Sequence, residues 1–154
     1  MDFRRYGSSD LPGVLRLCEL ENWPSFPQDP ARAGRALTAP GVTTMVAVEG
    51  GVVAGFAQLL SDGEIQAHLS LIAVDPAFRR RGVARDLILL ALREAGGIRV
   101  DLVTDSAEAF YAALPHFKMS GFRIYPEHGG AVPGDGRRAH MKSAKAARPP
   151  EEDV

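Results

Sequence analysis

The chain has 154 residues, the length of one domain. Its 45% apolar and 24% charged content is that of a soluble globular protein and excludes wholesale disorder. Lys plus Arg number 18 against 19 Asp plus Glu, a net charge of -1 that disfavours a dedicated nucleic-acid binder.

Asp2 to Arg5 predicts a short opening strand. After Ser8 and Ser9, the apolar residues Leu11, Val14, Leu15 and Cys18 follow helical offsets, with Pro12 tolerated in the first turn. Trp23, Pro24, Phe26 and Pro27 break that period. Asp29-Pro30 reads as an N-cap with proline at the first helical position, opening a second helix to about Leu37. Val42 to Val48, Val53 to Leu60 and Ile65 to Val74 are strand-like. Glu49-Gly50-Gly51 and Ser61-Asp62-Gly63 separate them as hairpin turns, giving an antiparallel meander.

Gly82 opens a helix with the stripe Val83, Leu87, Leu90 and Ala91, which ends at Gly96-Gly97. Ile98 to Thr104 predicts a strand, parallel to the one ending at Val74. Asp105-Ser106-Ala107-Glu108 offers a cap for a helix stopping near Pro115. Phe122 to Tyr125 and Arg138 to Met141 predict late strands. The expectation is a mixed α/β sheet flanked by helices, one domain over residues 1–142, and a loose tail over 143–154.

Cys18 stands alone, which excludes an intrachain disulfide and any CxxC motif. His116, His128 and His140 lack ligand-like spacing, so no metal site is expected. The N-terminus MDFRRYGSSD has no signal-peptide core, and the apolar run Leu87 to Leu92 is too short to span a bilayer. These features predict a cytoplasmic protein with neither membrane nor nucleic acid as partner. Its oligomeric state stays open, a homodimer included.

The stretch from His68 to Ala84 carries the chemistry. A strand enters a basic turn, and the turn enters a helix. Helix N-termini present free N–H groups and partial positive charge, which suits phosphates. Gly82 allows close backbone approach, and Arg79, Arg80, Arg81 and Arg85 add charge. The sequence lacks both the Walker and the dinucleotide glycine patterns. A solvated basic turn has the same composition. Alternation predicts Ile65, Ala67, Leu69, Leu71 and Ala73 on one face of the preceding strand. Gln66, His68, Ser70, Ile72 and Val74 fall on the other, and the three polar residues suggest a wet cavity. His68 suits general-base work, because histidine titrates near neutrality, but it also reads as an ordinary exposed histidine.

Arg79-x-x-Gly82-x-Ala84, after a strand ending Ile-Ala-Val-Asp-Pro, resembles the [Q/R]-x-x-G-x-[G/A] motif of the GNAT superfamily of N-acetyltransferases. The run His-Leu-x-x-Leu/Ile-Ala-Val-x-x-x-Phe-Arg is similar to arylalkylamine N-acetyltransferases, with Ser70 where those enzymes often carry a second histidine. The resemblance implies a GNAT-like sheet with two splayed parallel strands and acetyl-CoA as co-substrate. It implies that Ile72, Ala73 and Val74 line pantetheine and the thioester. It also implies that the turn from Arg79 through Arg80, Arg81, Gly82, Val83 and Ala84 to Arg85 holds the pyrophosphate. His68 falls at a position where many members carry a catalytic glutamate or histidine. Phe110-Tyr111 resembles the family's Phe-Tyr-x-x-x-Gly-Phe, whose tyrosine protonates the CoA thiolate. Ten residues separate Tyr111 from Gly121, where the family usually has about four, so Pro115 to Ser120 makes a longer loop.

Trp23 and Phe26 lie in the loop that flanks the acceptor side in the family, although simple packing explains them as well. Gln66 and Ser70 are further acceptor-side candidates. The implied reaction is acetyl transfer to a primary amine, on a small molecule or a peptide, by direct attack in a ternary complex. A non-catalytic acyl-CoA-binding sensor or interaction module on the same fold is the alternative.

Overall fold

A computed structural model describes residues 1–121. The strands expected at Phe122–Tyr125 and Arg138–Met141, and the tail from Ser143, lie outside the described residues. Among the described residues, five strands form one sheet in the order β1-β2-β3-β4-β5. They are β1 (Asp2–Arg5), β2 (Val42–Glu49), β3 (Val52–Ser61), β4 (Gln66–Val74) and β5 (Arg99–Asp101). The first four pair antiparallel in succession, and β5 pairs with β4 in parallel. The expected meander and the parallel pair are both present, and the chain forms a mixed α/β sheet flanked by helices.

The helices are α1 (Leu11–Leu20), α2 (Pro30–Leu37), α3 (Val83–Ala95) and α4 (Glu108–Ala112). Asp29 caps α2 by accepting from the Arg32 N–H at 2.9 Å, with Pro30 behind it as expected. A 3-10 turn over Ser8–Asp10 precedes α1. There the Asp10 carboxylate accepts from the Gly7 N–H and from both terminal nitrogens of Arg4, at 2.7–2.9 Å. The cap of α4 differs from expectation. Asp105 does not cap it; the Thr104 hydroxyl accepts from the Ala107 N–H at 3.0 Å, and only five residues follow in helix.

Each face of the sheet has its own core. Ala57, Leu59, Ala67 and Leu69 pack against Leu87, Ile88 and Ala91 of α3. On the opposite face, Val46, Phe56 and Ala73 pack against Val14 and Leu17 of α1 and Leu37 at the end of α2. Full burial of side chains such as Phe56 and Leu87 stabilises by about 1.5–3 kcal/mol each. Gly13 permits the approach of α1 to β3, since a Cβ there would lie 2.6 Å from a Val53 methyl.

Simple alternation along β4 does not hold. The register runs Gln58↔Leu71 and then Leu59↔Leu69, leaving Ser70 as an extra residue in a bulge. The side-chain pattern therefore changes face at Ser70. Ala67 and Leu69 face α3, whereas Leu71 and Ala73 face α1, and Ile72 and Val74 join the α3 side. The expected grouping of Ala67 through Ala73 on one face is overturned because one inserted residue shifts a two-residue period.

The expected strand Ile98 to Thr104 is also shorter. Only Arg99–Asp101 pairs with β4, and the last partners are His68 and Asp101. Beyond them β4 continues to Val74 without β5 beside it.

Candidate active site

Past Val74 the chain turns through a 3-10 segment, Pro76–Phe78, into Gly82 and α3. Asp75 anchors the turn. Its carboxylate accepts from the Ala77 N–H at 2.9 Å and from Arg16 Nη1 at 2.6 Å. Arg16 Nη2 also donates to the Val53 carbonyl, so one guanidinium joins α1, β3 and the end of β4. The Arg16 hydrogen bond holds the Asp75 carboxyl below the usual carboxylate range, with the Ala77 amide acting in the same direction.

The arginines of the turn divide into two kinds. Arg79 folds back, donating to the Val74 carbonyl at 2.9 Å and to Glu21 at 2.5 Å. Arg81 reaches Glu49 at 3.1 Å and stands 5.4 Å over the Phe78 ring. These two shape the turn. Arg80 and Arg85 are exposed and make no side-chain ion pair among the described residues. Arg80 adopts φ 58 and Gly82 φ 81, so the backbone reverses sharply into the first turn of α3. Gly82 takes this left-handed conformation without the Cβ penalty. The first N–H groups of α3, at Val83, Ala84 and Arg85, have no helical carbonyl to bond.

Side chains of Ala73 and Val74 are buried in the two cores, and Ile72 packs against the α3 side. The Asp75 N–H donates to Ala54 of β3, which fixes the direction of that residue. Alternation then turns the Val74 N–H and C=O toward the edge that β5 has left. Arg79 occupies the carbonyl, and the Val74 N–H faces the opened side.

A cavity of about 430 Å³ opens on the α1–α2 face of the sheet. Trp23 and Phe26, from the loop after α1, line it together with the neighbouring residues Ser70 and Leu71 of β4. The bulge makes this possible, because consecutive residues of a regular strand point to opposite faces. Cys18, expected in the core, is buried and also touches the cavity; burial pushes its thiol up to about 12, so it is protonated near neutral pH. Gln66, expected beside the acceptor, is elsewhere. Its carboxamide bonds Asp101 at 2.9 Å and Arg99 at 2.7 Å, which ties β4 to β5.

His68 is exposed beside its register partner Leu60, and Leu60 lines the cavity. Tyr111 packs against the α3-side core, with its ring edge-on to Phe110 at 4.9 Å. Burial raises its phenol above the ordinary tyrosine value, so it is protonated near neutrality.

A family model, Acetyltransferase (GNAT) family, matches residues 11–122. The chain belongs to the GNAT acetyltransferase family. No curated protein matches it. Among solved structures it is similar to a putative acetyltransferase from Agrobacterium tumefaciens, 29% identical with a TM-score of 0.68, covering 82% of this chain and 100% of that one. It shares its fold with an aminoglycoside N-acetyltransferase solved in complex with CoA, 24% identical with a TM-score of 0.69, covering 82% of this chain and 93% of that one. An acetyltransferase from Trypanosoma brucei has the same fold at 23% identity and a TM-score of 0.64, covering 82% of this chain and 99% of that one.

In this GNAT domain the cavity residues that the sequence reading missed are chiefly Gln58 and Leu60 of β3, together with Ala36, Ala39 and Val42. Only Gln58 carried a signal. It is a polar residue inside an otherwise apolar run from Val52 to Leu60. Among the described residues no cluster of His, Cys, Asp and Glu could hold a metal, and no helix is long and apolar enough to cross a membrane.

Proposed function

We propose that this GNAT protein is an acetyl-CoA-dependent N-acetyltransferase that moves the acetyl group to a primary amine by direct attack in a ternary complex. The observation that carries the reading is the parting of β4 from β5 after His68 and Asp101. That parting leaves a backbone edge running straight into the Gly82 turn and the first amides of α3. Acetyl-CoA supplies the activated acetyl group. The free amides of Val83, Ala84 and Arg85, with the charges of Arg80 and Arg85, bind its pyrophosphate. The backbone of Ile72 and Val74 takes the extended pantetheine arm, and a backbone N–H of that opened edge polarises the acetyl carbonyl.

The acceptor enters from the cavity lined by Trp23, Phe26 and Ser70. An amine is mostly protonated at neutral pH and must lose a proton to attack. His68, at the rim beside Leu60, takes that proton directly or through water. Tyr111 returns a proton to the departing thiolate, a role that suits a phenol kept neutral by burial.

The test is a pair of measurements. Acetyl-CoA should raise the melting temperature, and an amine and peptide panel should release free CoA. No melting shift with saturating acetyl-CoA overturns the reading. A shift without turnover of any acceptor favours a non-catalytic acyl-CoA-binding module.

A further inference from the structure

Both ends of the turn that leads toward Gly82 are tied to one helix. At its start, Arg16 of α1 donates from Nη1 to the Asp75 carboxylate at 2.6 Å and from Nη2 to the Val53 carbonyl at 2.9 Å. At its end, Arg79 donates from Nε to the Val74 carbonyl at 2.9 Å. Its Nη2 donates at 2.5 Å to Glu21, the residue that closes α1. One arginine thus sits on the helix and the other on the turn. Each joins an acid on the opposite element to a main-chain carbonyl of the sheet.

Stability is a poor account of this arrangement. The Arg79 side chain is 49% exposed and that of Glu21 29%, and pairs so exposed contribute only about 0–1 kcal/mol. Geometry is the better account. A guanidinium is planar with fixed donor directions, so two acceptors on different elements set how those elements lie against each other. Asp75 is held further, because its second carboxylate oxygen accepts from the Ala77 N–H and its own N–H donates to the Ala54 carbonyl. Between the clamped ends lie Pro76, Ala77 and Phe78, in a 3-10 turn. Past Arg79, Arg80 and Arg81 alone separate the clamp from Gly82 and the first amides of α3. The direction of those amides relative to the open edge of β4 is therefore set from α1.

We propose that Arg16 and Glu21 are positioning residues for the acetyl-CoA turn, acting through Asp75 and Arg79, so that α1 tunes the grip on the pyrophosphate without contacting it. This rests on the acetyltransferase reading, which puts the pyrophosphate at the first amides of α3. It assigns Arg79 to aiming the turn and leaves the charge at the ligand to Arg80 and Arg85.

The experiment measures dissociation constants by titration calorimetry for acetyl-CoA and for S-acetylpantetheine, which carries the thioester arm without the pyrophosphate. Arg16→Met and Glu21→Ala should each weaken acetyl-CoA on the order of tenfold and leave S-acetylpantetheine unchanged. Adding Asp75→Asn to Arg16→Met makes the pair neutral again, and the new carboxamide can still accept from the Ala77 N–H. Acetyl-CoA should stay weak in that double variant. Recovery of wild-type affinity there would make Arg16 a neutralising charge and overturn the positioning role. Equal weakening of both ligands would mark general loosening of the fold and overturn it too. Wild-type or tighter acetyl-CoA binding in either folded single variant overturns the inference and leaves the acetyltransferase reading intact. Glu21 is half-exposed at the helix end, so Glu21→Ala decides the matter if Arg16→Met does not fold. A wild-type protein that does not bind acetyl-CoA overturns both readings.

Discussion

His68 and Asp101 are the last register partners of the parallel pair, and beyond them β4 runs alone to Val74. Asp101 is held at that point by Gln66, whose carboxamide in turn takes Arg99. The fork between the strands therefore begins at the residue proposed as base. A ligand arm threading the fork would present its reactive end to His68.

His68→Ala should lower kcat/KM by roughly 10²–10⁴-fold. The acetyl-CoA melting shift should persist, because the turn proposed to hold the pyrophosphate lies at the other end of β4. An unchanged kcat/KM would show that His68 moves no proton.

Tyr111→Phe should reduce kcat more than KM, by about tenfold to a hundredfold, since it removes a proton donor without removing the ring from the core. Steady-state kinetics at pH 7 checks this. An equal rate with an unchanged melting temperature would make Tyr111 a packing residue.

Gly82→Ala places a side chain at φ 81, which should cost roughly 1–2 kcal/mol. It should also shrink the acetyl-CoA melting shift, because the first amides of α3 must reorient. Denaturant melts with and without acetyl-CoA separate the two effects.

Gly13→Ala should destabilise by about 1–3 kcal/mol through overpacking against Val53. Adding Val53→Ala should recover part of that loss. Urea unfolding of the single and double variants reads the coupling.

Asp10 and Asp75 both have carboxyls held below their ordinary range, by Arg4 and by Arg16 respectively as the largest cause. A lowered folded value means that the carboxylate's contribution is fully present above the unfolded pKa of about 4. It is lost as pH falls through the folded value. Melting temperature should therefore drop steeply below pH 4. Asp10→Asn and Asp75→Asn should lie below wild type near pH 7 and converge toward it in acid. Parallel curves at all pH values would contradict the linkage.

Much of this was legible locally. Asp29-Pro30 marked α2, Gly50-Gly51 and Ser61-Asp62-Gly63 marked the hairpin turns, and Gly82 marked the start of α3, because turn and cap chemistry depends on adjacent residues. The order Arg79-x-x-Gly82-x-Ala84 after a strand was enough to suggest the family. The start of α4 lies later than Asp105 suggested: its N-cap is Ala107, without a side-chain cap, and the Thr104 hydroxyl bonds the Ala107 N–H in the turn before it, a choice only the backbone path makes. The short β5 was not legible, because Ile98 to Thr104 is apolar enough to pair throughout.

The opening balance of 18 basic and 19 acidic residues holds for the whole chain, yet it said nothing of where charges meet. Sequence alone determined the element order, the basic turn and the lone histidine in β4, all of which are encoded by near neighbours. Tertiary structure alone decided that Ser70 bulges and places Leu71 beside it in the cavity. It also decided that Gln66 bonds across to β5, that Arg79 and Arg81 hold the turn, and that Gln58 lines the cavity. Those outcomes depend on register and on contacts between distant segments, and a period-two pattern carries no record of where one residue is added.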